Sequence, residues 1–348
     1  MKNVISFAVM LSTSVAAYAL PPITEQPVID SPKTLYWPSD SAPGNPDLTT
    51  PTANILNDLH GNVGQCDLVL SSEGNYHMAL LELWKQYLAD YPGDGVTRMY
   101  TTSPPISPGQ ISGGVSFGNL KVSCPPQLAV GSAQVMSKLQ QMGAAEGQVT
   151  QLYSNYGAVI LVKKGNPKHI QSVWDLGRPD VHLVTPNPTL ESGAFTNYAT
   201  SIYQIAALDP NPPADMNADK LFNAIFNNPS NDPASKRGDA DVKWLAGARI
   251  HHRDEPWSIA YGEADAGVIL YHLAKYIKAT FPDQFDIVPL GGTIDNPQPL
   301  PGNVTGKTFI VRIKGSWTSQ QVMAREHLLG EFMSPLFTQI LESKGLKR

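Results

Sequence analysis

Hydroxyl, glycine and basic residues cluster where apolar runs give way to amphipathic ones: Ser71-Ser72, Thr102-Ser103, Ser132, Ser192-Gly193, and the turn carrying Arg249, His251, His252 and Arg253. Hydroxyls and backbone N–H groups at helix starts hold a small oxyanion without a full counter-charge, because the helix dipole and charge-assisted hydrogen bonds supply the attraction. Serine is also a preferred N-cap for purely structural reasons, so each of these residues taken alone has a simpler role available. The basic turn carries more chemistry. If Arg253 faces a cleft, its planar fork suits a carboxylate, phosphonate or phosphate; otherwise it is a solvated residue at a helix start. His251 and His252 form a candidate metal pair, although adjacent residues rarely aim at one ion. Pro256 behind them suits the first turn of a helix, and Gly267 to Leu270 beyond it reads as a buried central strand. No stretch resembles a nucleophile elbow, a His-Glu-x-x-His zinc helix or a P-loop, so the enzyme class has no motif behind it and no cofactor is called for.

The elements that must position these clusters alternate along the chain. Cys66 to Leu70 reads as a strand, Ser71 to Gly74 as a turn, and the stretch around Met78, Leu81, Trp84 and Leu88 as an amphipathic helix ending at Tyr91-Pro92-Gly93. Val96 to Thr102 is a second strand. Leu128 to Ser132 runs into a helix with Val135, Met136 and Leu139 on one face. Tyr156 to Lys163 is a nearly continuous apolar run, as expected of a strand covered on both faces. Val181 to Thr185 is a further strand, residues 209–238 a polar excursion carrying one helix, and Phe309 to Ile313 a strand before a helix from Ser319 through Leu336. Repeated strand, turn, helix order predicts an α/β fold with mainly parallel sheets.

Residues 1–19 have Lys2 near the start, an apolar run from Val4 to Val15 and Ala17-Tyr18-Ala19 before Leu20. That is the pattern of a cleaved secretory signal peptide, too short to span a bilayer, and it places the mature protein in the periplasm. No Cys follows the cleavage site to carry a lipid. Its removal leaves 24 Lys and Arg against 30 Asp and Glu, a balance that disfavours nucleic acid as a partner. From Pro21 to Pro51 there are eight prolines among many Ser, Thr, Asp and Asn, so residues 20–52 read as a Pro-rich arm or linker. Cys66 and Cys124 are the only cysteines. In an exported chain their default is a disulfide, with two buried thiols as the alternative. Asn303-Val304-Thr305 matches a glycosylation acceptor by sequence alone.

Several stretches together carry a resemblance: Val162 to Lys168, Trp174-Asp175-Leu176, the loop from Thr185 to Phe195, and Gly262-Glu263-Ala264-Asp265-Ala266-Gly267. They resemble the class II periplasmic substrate-binding proteins of ABC transporters, nearest the molybdate/tungstate-type branch, over roughly residues 64–345. The resemblance implies two lobes that close over a ligand by a hinge motion. It places the first lobe at 64–154 plus 268–348, the second at 155–267, and the crossings near Tyr156 to Val162 and Ala266 to Leu270. It also implies that Ser72 with Ser71, and Thr102 or Ser103, bring hydroxyls from the first lobe. Ser192-Gly193-Ala194 and the backbone near His252 would bring N–H groups from the second. Tyr271 falls one residue away from the family's tyrosine position. Glu73 is unexpected, since a simple oxyanion site does not welcome an acid unless it points away.

The function implied is capture of a small anion, molybdate-like in the first instance, by a monomeric protein that delivers it to an ABC permease. A sensor or adhesion module with the same lobes, a carboxylate or phosphonate binder and a metal binder are the alternatives.

Overall fold

The computed structural model describes residues 20–23, 58–62, 67–103, 106–111, 115–117, 120–122, 125–231, 242–247 and 250–348. The signal segment, most of the Pro-rich arm, Cys66, Cys124 and Arg249 lie outside the described residues. The chain begins with β1 (Asp58–Gly61), β2 (Leu68–Ser71), α1 (His77–Asp90), β3 (Arg98–Ser103), the hairpin of β4 (Val115–Phe117) and β5 (Leu120–Val122), β6 (Leu128–Ser132), α2 (Ala133–Gln141) and β7 (Ala145–Ser154). It continues through β8 (Ala158–Lys163), β9 (Leu183–Thr185), α3 (Ser192–Leu208), α4 (Ala218–Phe226), β10 (Trp244–Ala246), α5 (His251–Ala260), β11 (Ala266–Leu270), α6 (Tyr271–Thr280) and β12 (Phe285–Val288). It closes with β13 (Lys307–Ile313), α7 (Ser319–Phe332) and α8 (Pro335–Ser343).

The larger strands form two sheets. One has six strands in the order β1-β3-β2-β6-β13-β7, the other five in the order β10-β9-β11-β8-β12. Pairing is parallel inside the strand-helix-strand units, as in β2 with β3 and β6, and β9 with β10 and β11. It turns antiparallel where β8 and β13 enter their sheets. The expected α/β architecture is therefore present, with mixed rather than mainly parallel sheets.

Continuous apolar runs become interior strands for a simple reason. Ala266–Leu270 is buried at all five positions, and a strand with no solvent face needs a partner on each side. It finds them in β9 and β8. Val268 therefore belongs to the second sheet, and β12 pairs there as well. The return to the first sheet comes at Lys307 rather than at the expected residue 268.

Each lobe packs its own core. Helices α1, α7 and α8 cover one face of the six-stranded sheet through Leu80, Trp84, Leu328 and Phe337, and α2 covers the other through Met136 and Leu139. The second core gathers Ile160, Leu161, Ile202, Phe222, Trp244 and Ile269. Leu20 and Ile23 pack against this core, and Asn227 Nδ2 donates to the Pro22 carbonyl at 2.9 Å, so the start of the arm is docked on the second lobe.

Two helices depart from the sequence reading. Helix α5 starts at His251, leaving Pro256 inside it, where the ring removes one N–H from the ladder. The helix expected from Ser319 through Leu336 breaks at Met333: Ser334 caps α8 by accepting from Phe337 N at 3.1 Å, and Pro335 takes the first helical position.

Asparagines lace the two crossings. Asn303 accepts from Ala158 N and donates to Ala158 O, both at 2.8 Å, while Asn155 Oδ1 accepts from Gly157 N at 2.9 Å and Gly306 N at 3.0 Å. Gly157 is required here, since its φ is +74° and a Cβ would meet Asn303 Oδ1 at 2.5 Å. The Asn303 amide, matched in sequence to a glycosylation acceptor, is thus buried and engaged in the hinge.

Candidate functional site

Between the lobes, against both crossings, lies a cleft of about 450 Å3. Three helix starts open onto it. Asn75 belongs to the single 3-10 turn, Gly74–Tyr76, that leads into α1. Ala133 and Gln134 are the first residues of α2, behind the Ser132 cap, whose hydroxyl accepts from Val135 N at 3.5 Å. Gly193 and Ala194 lie in the first turn of α3, whose N-cap Glu191 makes no side-chain cap bond. The first α3 N–H groups have no partner within the helix, and α2 presents the same kind of end, so the cleft receives partial positive charge from both lobes. Lys307 adds a full positive charge from the second crossing.

One acid enters this wall. Glu73 lines the cleft, and its Oε1 accepts from Tyr153 OH at 2.5 Å and Thr308 Oγ1 at 2.8 Å. Desolvation raises its pKa above the usual carboxylate range, against the lowering effect of those two hydroxyls. His272, also on the wall, bonds the Asn75 carbonyl through Nε2, and burial brings its pKa down to about 4. It is neutral at neutral pH.

The residues singled out in the sequence separate into groups. Ser132 and Gly193 lie on the cleft, and Ser192 is exposed beside Gly193 at the α3 start. Ser71 and Ser72 are buried, the former donating to Ile106 O at 3.3 Å and the latter sharing a 2.6 Å bond with Tyr76 OH. Thr102 and Ser103 end β3, their side chains lying outside the described residues. Tyr271 points away from the cleft: its hydroxyl donates to Ile294 O, and its ring lines a separate hollow of about 330 Å3 with Tyr156 and Lys347. His252 and Arg253 are buried in α5 rather than solvated. The two adjacent histidines diverge, with ring planes 85° apart. His251 meets Glu191 Oε1 at 3.0 Å and Tyr198 OH at 3.1 Å, whereas His252 stacks on His77 of α1 at 5.0 Å. Among the described residues no group of three or more His, Cys, Asp or Glu is arranged to hold a metal. Asn75, Asn155, Asn197 and Lys307 line the cleft without having been marked by any motif, and Thr305, noted only within the glycosylation match, lines it too.

A family model described as bacterial extracellular solute-binding protein matches residues 68–309. The chain belongs to this family. A sulfate-binding protein of Salmonella typhimurium is 40% identical over 70 residues, covering 20% of this chain and 21% of that protein. The sulfate-binding protein of Escherichia coli is 52% identical over 40 residues, or 12% of each chain. The matched stretches thus span about a fifth or less of these curated relatives. Among solved structures, the sulfate-binding protein SubI of Mycobacterium tuberculosis aligns with a TM-score of 0.55 at 16% identity, over 80% of this chain and 85% of that one. It shares the fold.

In this solute-binding protein the lobes also meet beside the cleft. His77 at the start of α1 and His252 of α5 stack across the interface, with Tyr276 of α6 edge-on to His77 at 5.1 Å. Burial, followed by the charge of Arg253, holds both imidazoles well below the usual histidine range, so both are neutral at neutral pH. Glu255 is fully buried in the same helix. Burial first, then Glu191 and Asp254, raise its pKa well above that of an ordinary carboxylate. The stacked imidazoles therefore meet as neutral rings.

Proposed function

We propose that this member of the extracellular solute-binding family captures a small oxyanion in the interlobe cleft and presents it to a membrane permease of the ABC type. The observation that carries the reading is the meeting of helix starts from both lobes, together with Lys307, on one cleft at the hinge. Helix ends of this kind attract anions through unpaired N–H groups and the helix dipole. The sulfate-binding relatives, matched over short stretches, favour a small tetrahedral oxyanion as the ligand class. Binding involves no covalent step. A ligand that touches α2 and α3 together has its full set of contacts only when the lobes close, so it shifts the population toward the closed form. The expected export by signal peptide, the monomeric state and a Cys66–Cys124 disulfide complete the proposal.

The test is a thermal-shift and calorimetric titration of residues 20–348 against sulfate, molybdate, tungstate, phosphate and small carboxylates. A saturable rise in melting temperature with at least one anion is expected, because the ligand binds only the folded state. Absence of any anion response, with a response to divalent metal, would overturn the reading.

A further inference from the structure

Glu73 is the residue that a site for fully ionised anions should not contain. Its placement two residues beyond β2, at the cap of the 3-10 turn leading into α1, puts it on the cleft wall. One oxygen is held firmly, Oε1 taking hydrogen bonds from Tyr153 and Thr308 of two different strands. The orientation of the carboxyl is therefore imposed by β7 and β13 rather than left to solvent. Oε2 accepts no hydrogen bond from the described residues, and as the remaining oxygen of a cleft-lining carboxyl it is the atom available to a bound solute. The other titratable groups lining the cleft are Lys307, a cation, Tyr153, Tyr198, and His272, held neutral by burial.

The two hydroxyls donating to Oε1 favour the ionised form of Glu73 against the burial that raises its pKa, and a carboxylate oxygen only accepts hydrogen bonds. Sulfate and molybdate near neutral pH also only accept, so either would set lone pair against lone pair at Oε2. A tetrahedral anion that keeps one proton presents the opposite polarity there while offering its remaining oxygens to the α2 and α3 starts. We propose that the cleft selects a tetrahedral oxyanion retaining a proton at neutral pH, of the hydrogen phosphate or hydrogen phosphonate type, with Glu73 Oε2 accepting the ligand's hydroxyl hydrogen. This deepens the anion-capture reading and rests on it. Specificity follows from the mismatch as much as from the match, since a site built to pair with a ligand hydroxyl rejects the analogue that lacks it.

The probes are inorganic phosphate, methylphosphonate, sulfate and molybdate, titrated calorimetrically at pH 7 into residues 20–348 and into Glu73→Gln. The glutamine keeps an oxygen for Tyr153 and Thr308 and replaces the acceptor with an N–H donor. In the parent protein, phosphate should bind about tenfold to a hundredfold more tightly than sulfate, as expected for one charge-assisted hydrogen bond. In Glu73→Gln that preference should vanish or reverse. Raising the pH from 7 to 8 should leave parent phosphate affinity within about twofold, since the ligand carries its own proton. Sulfate or molybdate binding as tightly as phosphate in the parent would overturn the inference while leaving anion capture intact. Silence of all four probes would overturn both.

Discussion

The stacked imidazoles between α1 and α5 make a quantitative demand on stability. An imidazole that is neutral in the folded protein but free to ionise near pH 6.5 when unfolded contributes stability that is present above that pH and lost below it. The loss runs at about 1.4 kcal/mol per pH unit for each such group, until the folded-state pKa is reached. His77, His252 and His272 all have the required sign, their pKa values being lowered first of all by burial. Glu255 and Glu73 have the opposite sign. Their folded pKa values are raised by burial, so they favour folding increasingly as pH falls toward the unfolded carboxylate value. These contributions partly cancel in the parent protein, so the decisive quantity is a difference between two proteins.

Replacing His252 with Gln removes one titrating group and its stacking on His77, a contact worth about 1 kcal/mol. At pH 7.5 the variant should be less stable than the parent by about that amount. Below pH 6.5 the parent loses about 1.4 kcal/mol per unit that the variant does not. The two stability curves should then cross near pH ~5.8 and separate in the opposite sense at pH 5. Urea denaturation of both proteins at half-unit intervals measures this. A difference that stays constant within about 0.5 kcal/mol from pH 7.5 to 5 would refute the reasoning, because His252 would then ionise alike in both states.

Three further outcomes follow from individual contacts. Asn303→Ala strips two 2.8 Å bonds from the Ala158 peptide group, and should cost about 2–4 kcal/mol in denaturant unfolding, with Asn303→Asp failing to restore it for want of a donor. Lys243 is buried and donates to the carbonyls of Leu176 at 2.6 Å, Arg178 at 2.8 Å and Val181. Lys243→Met keeps the stem and should still destabilise by about 2–4 kcal/mol, a loss visible as a lower urea midpoint at unchanged slope. Lys307→Gln should weaken anion binding about threefold to tenfold at low salt and less at high salt. Lys164→Gln should leave affinity unchanged, because Lys164 pairs with Asp286 away from the cleft.

What the sequence displayed was decided by how local each signal is. The apolar runs of β8 and β11 announce buried strands, and Ser132 marks a junction because its hydroxyl caps the helix that follows. Strand β7 alternates exposed, half-buried and buried residues around Gly147, so its composition shows no run to read. Gly267, by contrast, sits in an obvious strand, yet the sequence does not show that its missing side chain makes room for Glu255. The late return of the chain was hidden because β11 looks the same whether it crosses or stays. In the cleft, Ser132 and Gly193 stand at visible helix starts, but Asn155, Thr305 and Lys307 reach it from the crossings, whose positions depend on both lobes. Ser72 and Tyr271 met closer protein partners, Tyr76 OH and Ile294 O, which no spacing rule foretells.

The place of β13 in its sheet has a kinetic consequence. It lies between β6 and β7, with Thr308 opposite both Ser132 and Tyr153. Two strands adjacent in sequence are thus kept apart until a segment made more than a hundred residues later slides between them. The inserted lobe can complete its own sheet from residues 158–288, whereas the outer lobe cannot finish before the chain is nearly whole. Contacts of such long sequence separation slow folding, and they make the order of assembly run from the inside of the chain outward.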